Sequence, residues 1–261
     1  MAVLSSARSF ARTFALAGAT RRVRVALSLL AALLCASAWA DDRPFLRTTS
    51  AAVDDDDERT FELHIGRLSG KKISASRLQM GYSISPTLNV EIELESIRDR
   101  IEDSTTRDRE LALWVSWVDP HREGWGLASR VSAGQERESG QGLERSAMHP
   151  YARGVTAVSL PLVDKSLWLH ANVGAQWGSA SQEMARWRGV WSLAGEYAIT
   201  RRTSWFAELA ATGHQRLSFA GVRQWLRKGK AALDLGTGRQ TVGQSQGQFV
   251  SVSFSLYDLS P

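Results

Sequence analysis

Cysteine is almost absent from this chain of 261 residues, in which the only one is Cys35. Cys35 lies in an amino-terminal segment that we predict to be removed, so the mature protein can form no disulfide and has no thiol chemistry. A helical pattern is also missing. After residue 60, no stretch of ten residues has the 3.6-residue apolar period of a convincing amphipathic helix, and this favours an all-β fold.

Acidic residues are absent from the first 40 positions, which carry five arginines followed by the apolar run VALSLLAALLCASAWA. A basic region, an apolar region and the final Ala38-Trp39-Ala40 are the three parts of a secretory signal peptide. We therefore predict that residues 1–40 are a signal peptide cleaved near Ala40. The apolar run is too short for a confident membrane-spanning helix.

The positive charge of the full chain, with 32 basic and 27 acidic residues, belongs to this leader. Without it the mature chain has 27 of each and no net charge, so nothing in the charge balance indicates a nucleic-acid partner. Residues 41–59 are polar and include the run Asp54–Asp57, which we interpret as a solvated part of an acidic, mobile tail. The remaining residues, 60–261, are predicted to form one domain.

Apolar residues recur with a period of two from residue 60 onward, which is the period of β-strands. We predict twelve strands, at 60–67, 77–84, 88–97, 110–118, 124–134, 150–160, 166–177, 187–199, 204–213, 217–226, 229–238 and 247–257. The connections after strands 2, 4, 6, 8 and 10 are tight, and those after strands 1, 3, 5, 7 and 11 are longer. This alternation predicts a single antiparallel transmembrane β-barrel of about 12 strands, with short periplasmic turns and longer extracellular loops.

The direction of the apolar face is not fixed by this period, because a soluble barrel has the same period with its apolar face inside. Tryptophan placement favours the membrane. Indole prefers the membrane–water boundary, so tryptophans at strand ends are typical of a membrane barrel. The alternative for any single tryptophan is a place in an ordinary protein core. The aromatic residues predicted at the membrane interface are Trp117, Trp125, Trp177, Trp187 and Trp205. We therefore predict a barrel in the outer membrane of a Gram-negative bacterium, surrounded by lipid and inserted by the outer-membrane assembly machinery.

Charged residues alternate with apolar ones in the stretch YSISPTLNVEIEL, where Glu91 and Glu93 alternate with Val90, Ile92 and Leu94. Because charge facing lipid is costly, we predict that the glutamates face a lumen. The same reasoning gives the following lumen-facing candidates: Glu62, Glu91, Glu93, Glu95, Arg130, His170, Asn172, Arg188, Glu196, Glu208, Arg223, Lys230 and Asp234. Seven of them are acids and four are bases, which predicts a mild preference for cations.

Catalytic chemistry has little support in the sequence. His170 and Asn172 share one strand and could orient a serine such as Ser192 on a neighbouring strand. These side chains are predicted to face the lumen, however, whereas a lipid-hydrolysing site has to open toward the bilayer. The five histidines show no metal-ligand spacing. We predict no enzymatic activity, no cofactor and no metal site.

Three segments, GEYAITRRTSWFAELAA, AGVRQWLRKGKAALDLGTGR and GQFVSVSFSL, resemble the carboxy-terminal half of bacterial outer-membrane barrels of the MetA-pathway phenol-degradation family. LHANVGAQWG resembles the strand that precedes them, and the likeness covers roughly residues 75–257. The resemblance implies an outer-membrane barrel that moves small aromatic or other apolar molecules and has no catalytic residues. The leading hypothesis is a passive pore or transporter for small solutes. A non-conducting structural or interaction barrel with an ion-paired lumen is the alternative, and an outer-membrane hydrolase is the third.

Overall fold

The computed structural model describes residues 47–48, 50–51, 61–140, 147–163, 166–178, 186–242 and 245–259. The predicted signal peptide and the aspartates at 54–57 lie outside these ranges. The described part contains twelve strands: β1 (Phe61–Gly70), β2 (Ile73–Ser85), β3 (Leu88–Asp99), β4 (Ser104–Val118), β5 (Gly126–Gly140), β6 (Ala147–Leu162), β7 (Leu167–Gly178), β8 (Arg186–Ala198), β9 (Thr203–Thr212), β10 (Gln215–Arg227), β11 (Ala231–Val242) and β12 (Ser245–Leu259). One helical turn, α1 (Pro120–Glu123), connects β4 to β5.

The strands form one closed sheet. Each strand pairs antiparallel with the strands next to it in sequence, and β1 pairs with β12 to complete the ring. Closure leaves no free edge, so every strand has a hydrogen-bonding neighbour on both sides. The prediction of an all-β antiparallel barrel with twelve strands is confirmed, and each predicted strand overlaps one observed strand. Among the described residues, no helix is long and apolar enough to cross a membrane.

The lengths of the connections alternate less regularly than predicted, because only two residues separate β1 from β2 and β11 from β12, whereas seven separate β4 from β5. The turns after β2, β4, β6, β8 and β10, together with the start of β1 and the end of β12, form what we call the turn end, and the other connections form the loop end. At the loop end the strands extend further than the sequence predicted, since β4 begins at Ser104 and β5 ends at Gly140. The reason is that Arg107, Asp108 and Arg109 put polar side chains on both faces, which removes the alternating signal while backbone pairing continues.

The outward face of the strands is apolar and the inward face is polar. Outward residues such as Ile92, Val173 and Leu209 are 42%, 66% and 50% exposed, while Glu91 and Glu208 on the inward face are 2% and 1% exposed. A soluble barrel would have the opposite arrangement, because its interior would be the hydrophobic core. Apolar outside and polar inside is the arrangement of a transmembrane barrel.

The five tryptophans predicted at the membrane interface all project outward with 42–71% exposure. Trp177 and Trp187 are register partners near the loop end, whereas Trp117, Trp125 and Trp205 lie near the turn end. From Leu167 to Trp177 the chain rises about 25 Å along the barrel axis, at ~3.3 Å per residue and a tilt of about 40°. That rise matches the apolar band of an outer-membrane barrel, which is about 25 Å tall.

The inside–outside assignment of β9 predicts opposite effects for two adjacent substitutions. We expect Leu209→Arg to impair assembly, because Leu209 faces outward about 10 Å along the axis from Trp205, where arginine in lipid costs ~2–4 kcal/mol. Glu208→Gln should leave assembly intact, since it keeps a polar side chain inside the barrel. The measurement is the mobility of unboiled protein on an SDS gel, where a folded barrel migrates differently from a boiled sample. Reversed severity would contradict the assignment for this strand.

Candidate functional site

The barrel interior contains most of the residues that the sequence predicted to face a lumen. Eleven of the thirteen are buried: Glu62, Glu91, Glu93, Glu95, Arg130, His170, Asn172, Glu196, Glu208, Arg223 and Asp234. Arg188 is half-buried and lines a cavity at the loop end. Lys230 lies in the turn before β11, because that strand begins at Ala231, and its carbonyl oxygen accepts a hydrogen bond from the Tyr257 N–H at 2.9 Å.

Three glutamates on β3 form an acidic ladder along the inner wall: Glu91, Glu93 and Glu95. Each one contacts a different arginine. Glu91 lies 3.3 Å from Arg130 on β5, Glu93 lies 2.8 Å from Arg77 on β2, and Glu95 lies 2.9 Å from Arg47. Buried carboxylates need such partners, because an isolated charge would lose its hydration without compensation.

A second charge cluster surrounds Glu110 on β4, which is not among the predicted lumen residues. Its carboxylate pairs with Arg130, lies 3.5 Å from Arg153, and accepts a hydrogen bond of 2.6 Å from the Tyr151 hydroxyl. The signal was present in the sequence. Glu110, Arg153 and Tyr151 occupy inward positions in the same period of two that identified the ladder.

On another part of the wall, Arg223 forms a two-point ion pair with Asp234, its register partner on β11. The guanidinium donates to the two carboxylate oxygens at 2.7 and 3.0 Å, and Ser253 donates to one of them at 3.3 Å. The Arg223 side chain is fully buried and stacks over the rings of Trp225 and Tyr257. This geometry fixes the arginine rigidly, because both its charge and its flat face have partners.

The wall opposite the acidic ladder includes a strip of phenylalanines. Phe206 on β9 and Phe219 on β10 have ring centroids 5.2 Å apart, and Phe249 on β12 lies 5.7 Å from Phe219. These rings lie close to inward-facing glycines, so that a Cβ atom at Gly221 would come within 2.6 Å of the Phe206 ring. The interior therefore has one strongly charged side and one apolar side.

A short segment that precedes β1 lies inside the barrel. We call Arg47, Thr48, Ser50 and Ala51 the inner segment. The N–H groups of Arg47 and Thr48 and the Thr48 hydroxyl all donate to one oxygen of Glu208 on β9. The Arg47 guanidinium also contacts Glu95 on β3, and β3 and β9 are opposite each other because six strands separate them in the closed order. The inner segment thus bridges the barrel.

The other half of the inner segment packs near the turn end. Ala51 is fully buried against Trp114, Ala128 and Ala157, and its N–H donates to the Ser159 hydroxyl at 2.7 Å. Small side chains on β5 and β6 leave the space that it occupies. For these four residues the structure differs from the mobile tail predicted over 41–59, because buried hydrogen bonds and apolar contact hold them in place.

The serine that contacts His170 is Ser159, its register partner on β6, and not Ser192. The Ser159 hydroxyl lies 2.8 Å from His170 Nδ1, while Ser192 is the register partner of Asn172. Because the same hydroxyl accepts the Ala51 N–H, the Ser159–His170 pair holds the inner segment and is closed off from lipid. Within the described ranges there is also no group of three or more His, Cys, Asp or Glu residues placed to bind a metal.

The fold is similar to that of solved outer-membrane porins. A KdgM porin in complex with disordered oligogalacturonate matches with a TM-score of 0.52 at 10% sequence identity, over 75% of this chain and 98% of that chain. The NanC porin in a rhombohedral crystal form matches with a TM-score of 0.51 at 11% identity, over 75% of this chain and 98% of that chain. No protein-family model and no curated protein sequence matches this chain. The resemblance to the MetA-pathway phenol-degradation family therefore stays a prediction.

Proposed function

We propose that the protein is an outer-membrane channel for small solutes, whose interior is narrowed by its own inner segment. The observation that carries this proposal is the polarity of the barrel, which exposes apolar residues outward and buries charged residues inside. Lipid on the outside and water on the inside is the environment that satisfies both faces. The porin fold supports the same function, and the turn end, which carries both barrel termini, would face the periplasm.

The solutes are proposed to be small and partly apolar, with aromatic molecules among them. The phenylalanine strip and Leu217 provide an apolar surface inside the barrel, and the acidic ladder with its arginines provides polar contacts across from it. A solute with one apolar and one polar side would find a partner for each. We also propose that the signal peptide at 1–40 directs export of the protein and that the assembly machinery inserts the barrel into the outer membrane.

A non-conducting barrel is the second candidate, and a specific observation favours it. The inner segment bridges opposite walls, and ion pairs inside the barrel connect β2 to β3, β3 to β5 and β4 to β6. If these contacts persist, they close the path and the protein would serve a structural or interaction role. Hydrolysis is not part of the proposal, because the Ser159 hydroxyl is held by the inner segment.

Current through a planar lipid bilayer separates the two candidates. We expect the purified, folded protein to give discrete conductance steps under an applied voltage. Swelling of protein-containing liposomes in a small aromatic solute, compared with a sugar of similar size, then tests the proposed solute class. A heat-modifiable, correctly folded barrel that gives neither current nor swelling would support the non-conducting alternative.

A further inference from the structure

Near the loop end, the outward face of the described strands carries arginines and no exposed acid. Six arginines are exposed there on the strands: Arg67, Arg107, Arg109, Arg137, Arg216 and Arg239. A seventh, Arg98, lies 3.6 Å from Asp103 in the adjoining loop. Among the strand side chains that the structure describes, no Asp or Glu is exposed. This face is therefore positively charged, although the mature chain as a whole is neutral.

The arginines begin where the apolar band ends. On β4 the outward residues from the turn end are Trp117, Val115, Leu113 and Leu111, and then Arg109. Arg109 is the register partner of Leu94, which is the last apolar outward residue in the glutamate-containing part of β3. A cation at this level lies at the boundary between hydrocarbon and head groups, where it can reach charged lipid groups.

Two of these arginines face each other directly. Arg107 on β4 and Arg137 on β5 are register partners, which puts their Cβ atoms about 4.5–5.5 Å apart. Arg109 follows two residues later on the same face of β4. Like charges in opposite positions repel each other. In the described part of the chain, Arg107 and Arg109 have no carboxylate partner on this face, so an anion bound beside them would offset their positive charge.

An apolar groove adjoins this arginine cluster and crosses β4, β3, β2, β1 and β12. Arg67, Arg107 and Arg109 line its charged part, and Leu78, Leu94 and Phe254 line its apolar part. A molecule that fits both parts has a phosphate or other multiply charged head and a hydrocarbon chain. Arginine is suited to such a head, because its guanidinium forms two parallel hydrogen bonds to phosphate oxygens.

From these features we infer that the surface formed by Arg67, Arg107, Arg109 and Arg137 binds the phosphates of an outer-leaflet lipid of the lipid A class. The acyl chains lie in the groove that crosses β12 and β1–β4, and the phosphates bridge the facing arginines. This inference rests on the outer-membrane location in the proposed function. It does not depend on whether the barrel conducts.

Native mass spectrometry of the folded protein with diphosphorylated lipid A tests the inference. The double variant Arg107→Gln with Arg137→Gln is expected to weaken lipid binding about tenfold, because it removes the facing pair. The matched control is Arg216→Gln with Arg239→Gln, which removes the same charge at the same end of the barrel. These two arginines have no arginine as register partner. The control is expected to bind like the original protein.

Two further measurements identify the bound group without relying on a variant. Dephosphorylated lipid A should bind much more weakly to the original protein, and inorganic phosphate at the same concentration should not displace the intact lipid. Equal binding of the dephosphorylated lipid would overturn the inference. Equal weakening in both double variants would also overturn it, as would displacement by phosphate alone. An unboiled gel verifies that every variant is folded.

Discussion

Removal of residues 47–51 is expected to convert a channel with rare, brief openings into one with a sustained open level. The inner segment spans the interior from Glu95 to Glu208, and its carboxyl-terminal half fills the space beside Trp114. Hydrogen bonds to a charged group contribute about 1.5–3 kcal/mol each, so the contacts at Glu208 alone keep the segment inside most of the time. Deletion leaves the barrel wall unchanged, because these residues belong to no strand.

Single-channel recording measures this effect, and a variant that only weakens the contacts of the inner segment provides a second test. Glu208→Gln keeps the inner segment but weakens the acceptor for three donors. A loss of about 2 kcal/mol would raise the open population about 30-fold. Serine at positions 54–57 in place of aspartate is the control, since it preserves chain length and all the described contacts of the inner segment. If the deletion variant conducts no more than the full chain, the segment does not close the path.

The walls of the barrel could be predicted from sequence because their signal is local. A period of two places Glu91 inside and Ile92 outside without knowledge of any other strand. The same count, applied to β2, β4 and β6, places Arg77, Glu110 and Arg153 inside as well, so these positions were also predictable from the sequence. The pairing of Ser159 with His170 follows from the turn that joins β6 to β7.

The inner segment could not be predicted in this way. Its contacts join Thr48 to Glu208 and Ala51 to Ser159, which are 160 and 108 positions apart. Nothing in a polar sequence of small residues distinguishes a tail in solution from one that fills a lumen. The small residues Ala128 and Ala157, which make room for Ala51, were visible in the sequence. Their contact with Ala51 depends on closure of the whole barrel, and a local sequence pattern does not contain that information.

Substitution of Glu91, Glu93 and Glu95 by glutamine is expected to make the channel prefer anions. The sequence predicted a mild cation preference from an excess of acids. In the structure each of these glutamates contacts an arginine, so the ladder and its partners are close to neutral together. The original protein should therefore be only weakly selective. The triple variant leaves Arg47, Arg77 and Arg130 with less negative charge around them.

The size of this effect follows from the distance at which an ion passes. An uncompensated charge about 4 Å from an ion contributes ~1 kcal/mol in a water-like dielectric, which changes the local ion concentration about fivefold. Three such charges are enough to reverse the sign of the reversal potential across a salt gradient. The shift should be largest at low salt, because the screening length falls from about 10 Å at 0.1 M to about 3 Å at 1 M.

The reciprocal variant provides the control. Arg77→Gln with Arg130→Gln removes positive charge beside the same ladder, so its reversal potential should move in the cation direction. Arg130 also pairs with Glu110, so this variant adds to the unbalanced negative charge on the wall. Folding of both variants is verified by gel mobility before recording. Opposite shifts place the permeation path along β3, whereas shifts of the same sign, or none in either variant, would show that ions do not pass this wall.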